Sequence, residues 1–349
     1  MRYQILTGDC RATLAMLPDA SAQCCVTSPP YWGLRDYGTT AQIGLESTPD
    51  AYVSALVGVF REVWRVLADD GVLWLNLGDS YAGNRSYQVP DSKHRDVGNS
   101  RGMTVSRRRD DALIPRSDVL VAGLKSKDMV GIPWRVAFAL QADGWYLRSD
   151  VIWAKPNPMP ESVTDRPTKS HEYVFLLSKS ANYYYDAAAI AEPAIATNAH
   201  DVTGQGYMAP GQTSQSGNRK SDAVGFNGRN VQSVNAESER RDIVGTFNNN
   251  PRLRTNLTRN ARTVWSIATQ PYRDAHFAVM PEALAARCVL AGSRTGDTVL
   301  DPFAGAGTTG VAALSNGRSF IGCEANTAYV AMADTRLRNV APLFTEATA

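Results

Sequence analysis

The chain has 349 residues, of which 44% are hydrophobic and 20% charged, with 27 Gly and 18 Pro. That composition excludes collagen-like, wholly disordered and disulfide-scaffold classes and leaves a globular chain of one large or two modest domains. Net charge is only +2, yet the charge is unevenly placed. Residues 83–127 hold ten basic and five acidic side chains and residues 199–262 hold nine and five, leaving an acidic remainder. Two basic segments are therefore set into an acidic body.

In chain order, residues 3–6 and 23–27 form short apolar runs that predict strands, and Asp9 stands where it could cap a helix over 12–17. Five cysteines, Cys10, Cys24, Cys25, Cys288 and Cys323, form no C-x-x-C pair, which suits a reducing compartment better than a disulfide framework or a thiolate metal site. From 51 to 68 the residues Val53, Leu56, Phe60, Val63, Trp64 and Leu67 recur at three- and four-residue steps, one face of a helix that Asp70-Gly71 is expected to end. Strands are predicted at 72–77, 145–153, 173–177, 298–300 and 320–323, and helices at 129–140 and 281–290. Such alternation predicts a mostly parallel sheet covered by helices on both faces. The basic segments break the pattern, and the second is rich in Asn, Ser and Gly, so both read as inserts. The run Asn182-Tyr183-Tyr184-Tyr185-Asp186 reads as packing rather than as a site.

The N-terminus lacks the basic start and apolar run of a signal peptide, and no stretch is apolar for long enough to span a bilayer, so a cytoplasmic protein without membrane contact is expected.

The sharpest local signal is near the C-terminus. Val299-Leu300-Asp301-Pro302-Phe303-Ala304-Gly305-Ala306-Gly307-Thr308-Thr309-Gly310 precedes a helix-like run and a strand ending in Glu324. Gly305, Gly307 and Gly310 fit the G-x-G-x-x-G spacing, and Glu324 lies about 20 residues beyond the first glycine, where an acid can accept from ribose hydroxyls. An adenosine-containing cofactor is implied, either a dinucleotide or S-adenosylmethionine. Only one helix-like segment follows Glu324, whereas a dinucleotide fold needs further βα units after this motif. The remaining strands must then come from the N-terminal side, as in a circular permutation.

A second signal, Thr27-Ser28-Pro29-Pro30-Tyr31, follows the strand at 23–27. Two prolines remove two backbone donors and fix φ, so the carbonyls there are held as acceptors beside an aromatic ring. Such a site suits a planar base whose exocyclic amine is gripped by acceptors.

With both motifs in view, the chain resembles the S-adenosylmethionine-dependent DNA amino-methyltransferases, whose beta group carries (Ser/Asp/Asn)-Pro-Pro-(Tyr/Phe/Trp) first and Phe-x-Gly-x-Gly last. The resemblance implies a circularly permuted, Rossmann-like α/β fold with a seven-stranded sheet and inserted target-recognition segments. The core would comprise 1–82, 128–190 and 263–349, the basic insert 83–127, and the target-recognition region 191–262. It implies Ser28, Pro29, Pro30 and Tyr31 as catalytic residues. Asp301, Phe303, Gly305, Gly307 and Glu324 would bind S-adenosyl-L-methionine, Asp9 would sit near its adenine amine, and His276 and Phe277 would close over its methionine end. His276 reads equally as an ordinary surface or cap residue. The expected partner is double-stranded DNA with the target base flipped out, the expected atom is N4 of cytosine because Ser28 heads the motif, and N6 of adenine is the alternative. A cognate restriction endonuclease is a candidate partner, and monomer and homodimer are both open. Carbon-5 methylation is a rival chemistry, but no cysteine follows a proline. Protein or RNA methylation and a catalytically idle DNA-binding regulator are the other rivals.

Overall fold

The computed structural model describes residues 2–34, 42–82, 123–193, 258–270, 280–340 and 346–347. The chain divides into two compact units, Met1–Ile190 with Ala261–Ala349, and Ala191–Asn260. In the second unit the described residues form one antiparallel ladder, β6 (Glu192–Pro193) against β7 (Thr258–Arg259), with Arg259 and Glu192 paired at 3.5 Å.

The first unit is built on one twisted sheet. Its strands are β1 (Arg2–Thr7), β2 (Ala22–Thr27), β3 (Leu67–Leu77), β4 (Tyr146–Ala154), β5 (His171–Ser178), β8 (Val264–Ser266), β9 (Thr298–Asp301), β10 (Ser319–Glu324) and β11 (Glu346–Ala347). They lie in the order β11-β1-β10-β9-β2-β3-β5-β4-β8. All neighbours are parallel except β5, which runs against both β3 and β4. Counted from β9, which precedes the glycine loop, the order reads 3-2-1-4-5 and then the antiparallel strand inserted before β4. This is doubly wound topology entered at its third strand, the permutation expected from the sequence. The seven longer strands are those anticipated, and among the described residues the short β8 and β11 extend both edges to nine.

Side-chain alternation explains why the strands are apolar along both faces. Cys25, Leu73, Leu75, Phe175 and Leu177 face one core, filled by α1 (Cys10–Ala15), α2 (Pro49–Val66) and α3 (Ile132–Ala142). Their sequence neighbours Cys24, Val72, Trp74, Val174 and Leu176 face the other, filled by α4 (Glu282–Gly292), α5 (Thr308–Ser315) and α6 (Thr327–Val340). Helices from the N-terminal part of the chain thus cover one face and those from the C-terminal part the other.

Helix α2 starts where the Thr48 hydroxyl accepts from the Ala51 N–H at 3.1 Å with Pro49 in its first turn, and Tyr52, Leu56, Val59, Phe60, Val63 and Val66 are its buried stripe. Its end differs from the expectation. The helix stops at Val66, Leu67 is already extended, and Gly71 is not in the left-handed region, so it caps nothing. Gly71 is needed for another reason: a Cβ there would lie 2.8 Å from the Ala68 carbonyl oxygen and 3.1 Å from that of Gln23. The bend that turns the chain from α2 into the sheet is closed by backbone approach. Gly71→Ala should therefore lower stability by about 1–3 kcal/mol, read as a lower urea midpoint with an unchanged slope; an unaltered midpoint would show that the bend yields freely.

Candidate active site

The parallel strands β1, β2, β3, β9 and β10 end on one edge, and the sequence motifs lie just past those ends. Between β9 and β2 the strand order reverses direction, the place where open α/β sheets bind ligands. The two strands pair through Cys24 with Val299 and Cys25 with Leu300. Beyond that pairing the Thr27 hydroxyl donates to Asp301 Oδ1 at 2.6 Å, the Phe303 N–H donates to the same oxygen at 3.0 Å, and the Thr309 hydroxyl donates to the Val26 carbonyl at 3.2 Å. Thr27 and Asp301 are both buried. Burial pushes the Asp301 carboxyl up to about 6, against the hydrogen bonds from Thr27 and Phe303 that favour its ionised form. Asp301 thus ties the cofactor motif to the strand that carries Ser28, and its own side chain is turned into the seam.

The glycine loop leaves β9 and enters α5. Gly305 (φ +51°) and Gly307 (φ +77°) are both in the left-handed region. At Gly307 a Cβ would meet the Ala333 Cβ of α6 at 3.0 Å, so packing of α6 demands the glycine. At Gly305 the nearest atom to a Cβ is the Phe303 carbonyl oxygen at 4.0 Å, so the loop opens there onto a cradle. Glu324, at the end of β10, accepts from the Gly305 N–H at 2.8 Å and the Asn326 N–H at 2.7 Å. Burial raises its pKa, with those N–H groups acting in opposition. A carboxylate fixed beside an open glycine loop at a switch point fits the adenosyl portion of a nucleoside cofactor.

Asp9 follows β1 and is the N-cap of α1, accepting from the Arg11 N–H at 2.8 Å and paired with the Arg11 guanidinium, whose hydrogen bonds hold its carboxyl below the usual range. Of the two readings of Asp9 open in the sequence, the cap is formed. Gly8 N–H donates to the Glu324 carbonyl at 2.9 Å, which brings Asp9 to the same edge as Glu324. His276 and Phe277 lie outside the described residues, as do 83–122 and 199–257 of the two basic segments.

Ser28, Pro29, Pro30 and Tyr31 leave the end of β2. The Pro30 carbonyl accepts from the Tyr52 hydroxyl of α2 at 2.8 Å. The Tyr31 ring is clamped over Gly78, where a Cβ would come within 2.5 Å of its Cε2. Its hydroxyl donates to Glu172 Oε2 at 2.6 Å. Asn76 Nδ2 reaches Ser28 Oγ at 3.3 Å, Tyr31 Oη at 3.0 Å and Glu172 Oε2 at 3.0 Å. Lys155, stacked 4.3 Å over the Trp153 ring, pairs with Glu172 Oε1. Burial pushes the Glu172 carboxyl up, but the Lys155 charge and hydrogen bonds from Lys155, Tyr31 and Asn76 outweigh it and hold the group below the usual carboxylate range. Burial and Glu172 together push the Tyr31 phenol well up.

Thr27, Asn76, Lys155 and Glu172 were not among the residues expected from the sequence. Asn76 carried a signal, a lone amide in the apolar run 72–77. Lys155 and Glu172 meet only through the antiparallel pairing of β4 with β5, in which Trp153 faces Glu172. The five cysteines are all buried, and burial raises the thiol of each, Cys10 to about 12 and Cys323 to about 11. Buried thiols of this kind agree with the lack of any Pro-Cys pair in the sequence.

Against known proteins, residues 22–335 match the N6/N4 DNA methylase family. The chain belongs to that family. It is 43% identical to the Type II methyltransferase M.Cfr9I of Citrobacter freundii over 96% of this chain and 87% of that protein. It is equally identical to M.SmaI of Serratia marcescens over 96% of this chain and 90% of that one. Its fold is shared with PvuII DNA methyltransferase, described as cytosine-N4-specific (15% identity, TM-score 0.57, 96% of this chain and 87% of that one). It is shared also with the DNA modification methylase TTHA0409 of Thermus thermophilus, solved with S-adenosyl-L-methionine (22%, TM-score 0.54, 99% and 100%). The chain is a Type II DNA methyltransferase of that family. Among the described residues no helix is long and apolar enough to cross a membrane.

The raised Asp301 pKa has a consequence for stability. Its carboxyl titrates near 6 when folded against an ordinary 3.8, so the folded state holds the proton more tightly. That contribution is complete below about pH 4 and is lost as pH rises through 6. Asp301→Asn has no proton to lose, and relative to the parent chain it should gain on the order of 2–3 kcal/mol between about pH 4.5 and 7.5. Denaturation midpoints of the two proteins that move in parallel with pH would overturn this.

Proposed function

We propose that the enzyme methylates N4 of cytosine in duplex DNA, with N6 of adenine as the second reading. The observation that carries the choice is the head of the catalytic motif: Ser28 offers a neutral hydroxyl, and the carboxylate in its cluster, Glu172, is engaged by Lys155, Tyr31 and Asn76. In the resembled family, Ser in this place goes mostly with cytosine, and Asp or Asn mostly with adenine. The shared fold with a cytosine-N4-specific enzyme is compatible with the same choice.

In this reading Phe303, Gly305 and Gly307 line the cofactor, Glu324 holds its ribose, Asp9 lies toward the adenine amine, and His276 and Phe277 close over the methionine end. S-adenosylmethionine supplies, when bound, a methyl group made electrophilic by the sulfonium. The protein's task is alignment. An aromatic exocyclic amine is a poor nucleophile because its lone pair is conjugated with the ring. Accepting its hydrogens at the Ser28 hydroxyl and the Pro29 carbonyl draws the nitrogen toward a tetrahedral shape and turns the lone pair outward. Tyr31, held by Gly78 and Glu172, presents a fixed ring to the base. Flipping the base out of the duplex costs a few kcal/mol, offset by phosphate contacts from the basic segments 83–127 and 199–262. A cognate restriction endonuclease, whose sites the enzyme would protect, is the proposed partner.

Digestion of methylated DNA to nucleosides and mass spectrometry test the atom. N4-methylcytidine is expected, and it should be lost on Ser28→Ala while cofactor affinity is kept; N6-methyladenosine alone would favour the second reading. Target recognition is assigned to 199–262. Exchanging that segment for the corresponding one of a relative with a different target should move the methylated sequence, and an active chimera that keeps the original site would place recognition in 83–127.

A further inference from the structure

We propose that Glu172 is a positioning residue whose carboxylate sets the direction of the hydrogen-bond chain through Tyr31 and Asn76, so that Ser28 meets the target amine as an acceptor. The inference rests on the amino-methyltransferase reading of Ser28–Tyr31 given above.

Glu172 lies on β5 with its side chain 14% exposed, and Lys155 beside it keeps it ionised. An ionised carboxylate can only accept. The single hydroxyl hydrogen of Tyr31 is therefore committed to Oε2, at 2.6 Å. The Asn76 amide has two orientations that differ little in shape, and the same oxygen decides between them. With Nδ2 at 3.0 Å from Oε2 the contact is a hydrogen bond; reversed, it would set two acceptors against each other. This orientation has a visible cost, since Asn76 Oδ1 is buried without a partner among the described residues.

Ser28 then inherits its polarity. Its oxygen, 3.3 Å from Asn76 Nδ2, shares that group's second hydrogen with the Tyr31 oxygen at 3.0 Å. The Tyr31 oxygen, its own hydrogen given to Glu172, is the acceptor 3.5 Å away toward which the Ser28 hydrogen turns. The second lone pair of Ser28 is left for the substrate amine. A neutral amide at position 172 could donate to Tyr31, which would then direct its hydrogen to Ser28. The Ser28 hydrogen would be displaced toward the amine, donor against donor.

The test uses the full-length enzyme, duplex DNA and labelled S-adenosylmethionine in single-turnover assays, with cofactor affinity by calorimetry and thermal midpoints alongside. Glu172→Gln should slow methyl transfer roughly 30- to 100-fold and leave cofactor affinity within about twofold of the parent. Because Glu172→Gln also strands the Lys155 charge, the charge-balanced pair Lys155→Met, Glu172→Gln is the decisive variant. It should recover the thermal midpoint and stay slow. On a Tyr31→Phe background, Glu172→Gln should slow transfer by several-fold less than it does in the parent, because one of the two residues it acts through is gone. Return of the paired variant to the parent rate would overturn the inference, reducing Glu172 to a counter-ion for a buried lysine. So would independent, multiplying losses in the Tyr31→Phe background. A parent enzyme that methylates no DNA amine would overturn the underlying reading, and this inference with it.

Discussion

Everything at the active edge depends on one buried contact, the hydrogen bond from Thr27 to Asp301. The two residues are 274 positions apart, at opposite ends of a permuted chain, and each is the last residue of its strand. Ser28 begins the catalytic motif immediately after one, and Pro302 begins the cofactor loop immediately after the other. A shift in this contact would therefore separate the proposed acceptor of the amine from the proposed holder of the methyl donor, where misplacement by about 1 Å can cost about 100-fold in rate. Burial makes the contact firm because no water competes for either partner, and it makes Asp301 a reluctant acid for the same reason. Three bonds, from Thr27, Phe303 and Thr309, cross or brace the seam, so the geometry does not rest on the short β2–β9 ladder alone.

Around that seam, rigidity is supplied by close approach as much as by hydrogen bonding. Gly78 lets the Tyr31 ring lie against the backbone after β3, and Gly310 allows α5 to settle between Phe320 and Leu337, each within 2.7 Å of where a Cβ would stand. Gly305 differs because its missing side chain leaves open space rather than a contact. Within a single G-x-G-x-x-G run, one glycine therefore faces open space and two serve packing, a distinction that the spacing does not convey.

How much of this was legible follows from the range of each interaction. The strands and helices were readable because periodicity is local, and the permutation was readable because motif order constrains topology. The end of α2 departs from the local pattern because Asp70-Gly71 has the composition of a helix cap while its role is set by Gln23, 48 residues from Gly71 in sequence and adjacent in the sheet. Ser28 to Tyr31 and the glycine loop announced themselves by unusual residue types. Lys155 and Glu172 did not, since a charged residue at a strand end ordinarily faces solvent, and only the antiparallel insertion of β5 turns the pair inward behind Tyr31. Asp9 was ambiguous for a physical reason: an acid following a strand and preceding a helix is correctly placed for both a cap and a ligand.

The division of labour between loops and strands has a chemical logic. The groups assigned to touch substrate or cofactor, Ser28, Pro29, Gly305 and Gly307, sit on segments leaving the sheet, whose backbone can approach a ligand closely. The groups that orient them, Asn76, Glu172, Thr27 and Asp301, sit within strands, where register fixes position to a fraction of an ångström. Two buried acids serve this second set, with their pKa values displaced in opposite directions. Glu172 is kept charged by Lys155, so it imposes a direction on the hydrogen bonds around Ser28. Asp301 has burial as the largest influence on its pKa and no cation among the causes of its shift, so it is raised, and it braces the seam by accepting from Thr27 and Phe303. A reaction that needs alignment more than a strong base is served by this arrangement, because charge is used to hold neutral groups in place and is kept one residue away from the amine.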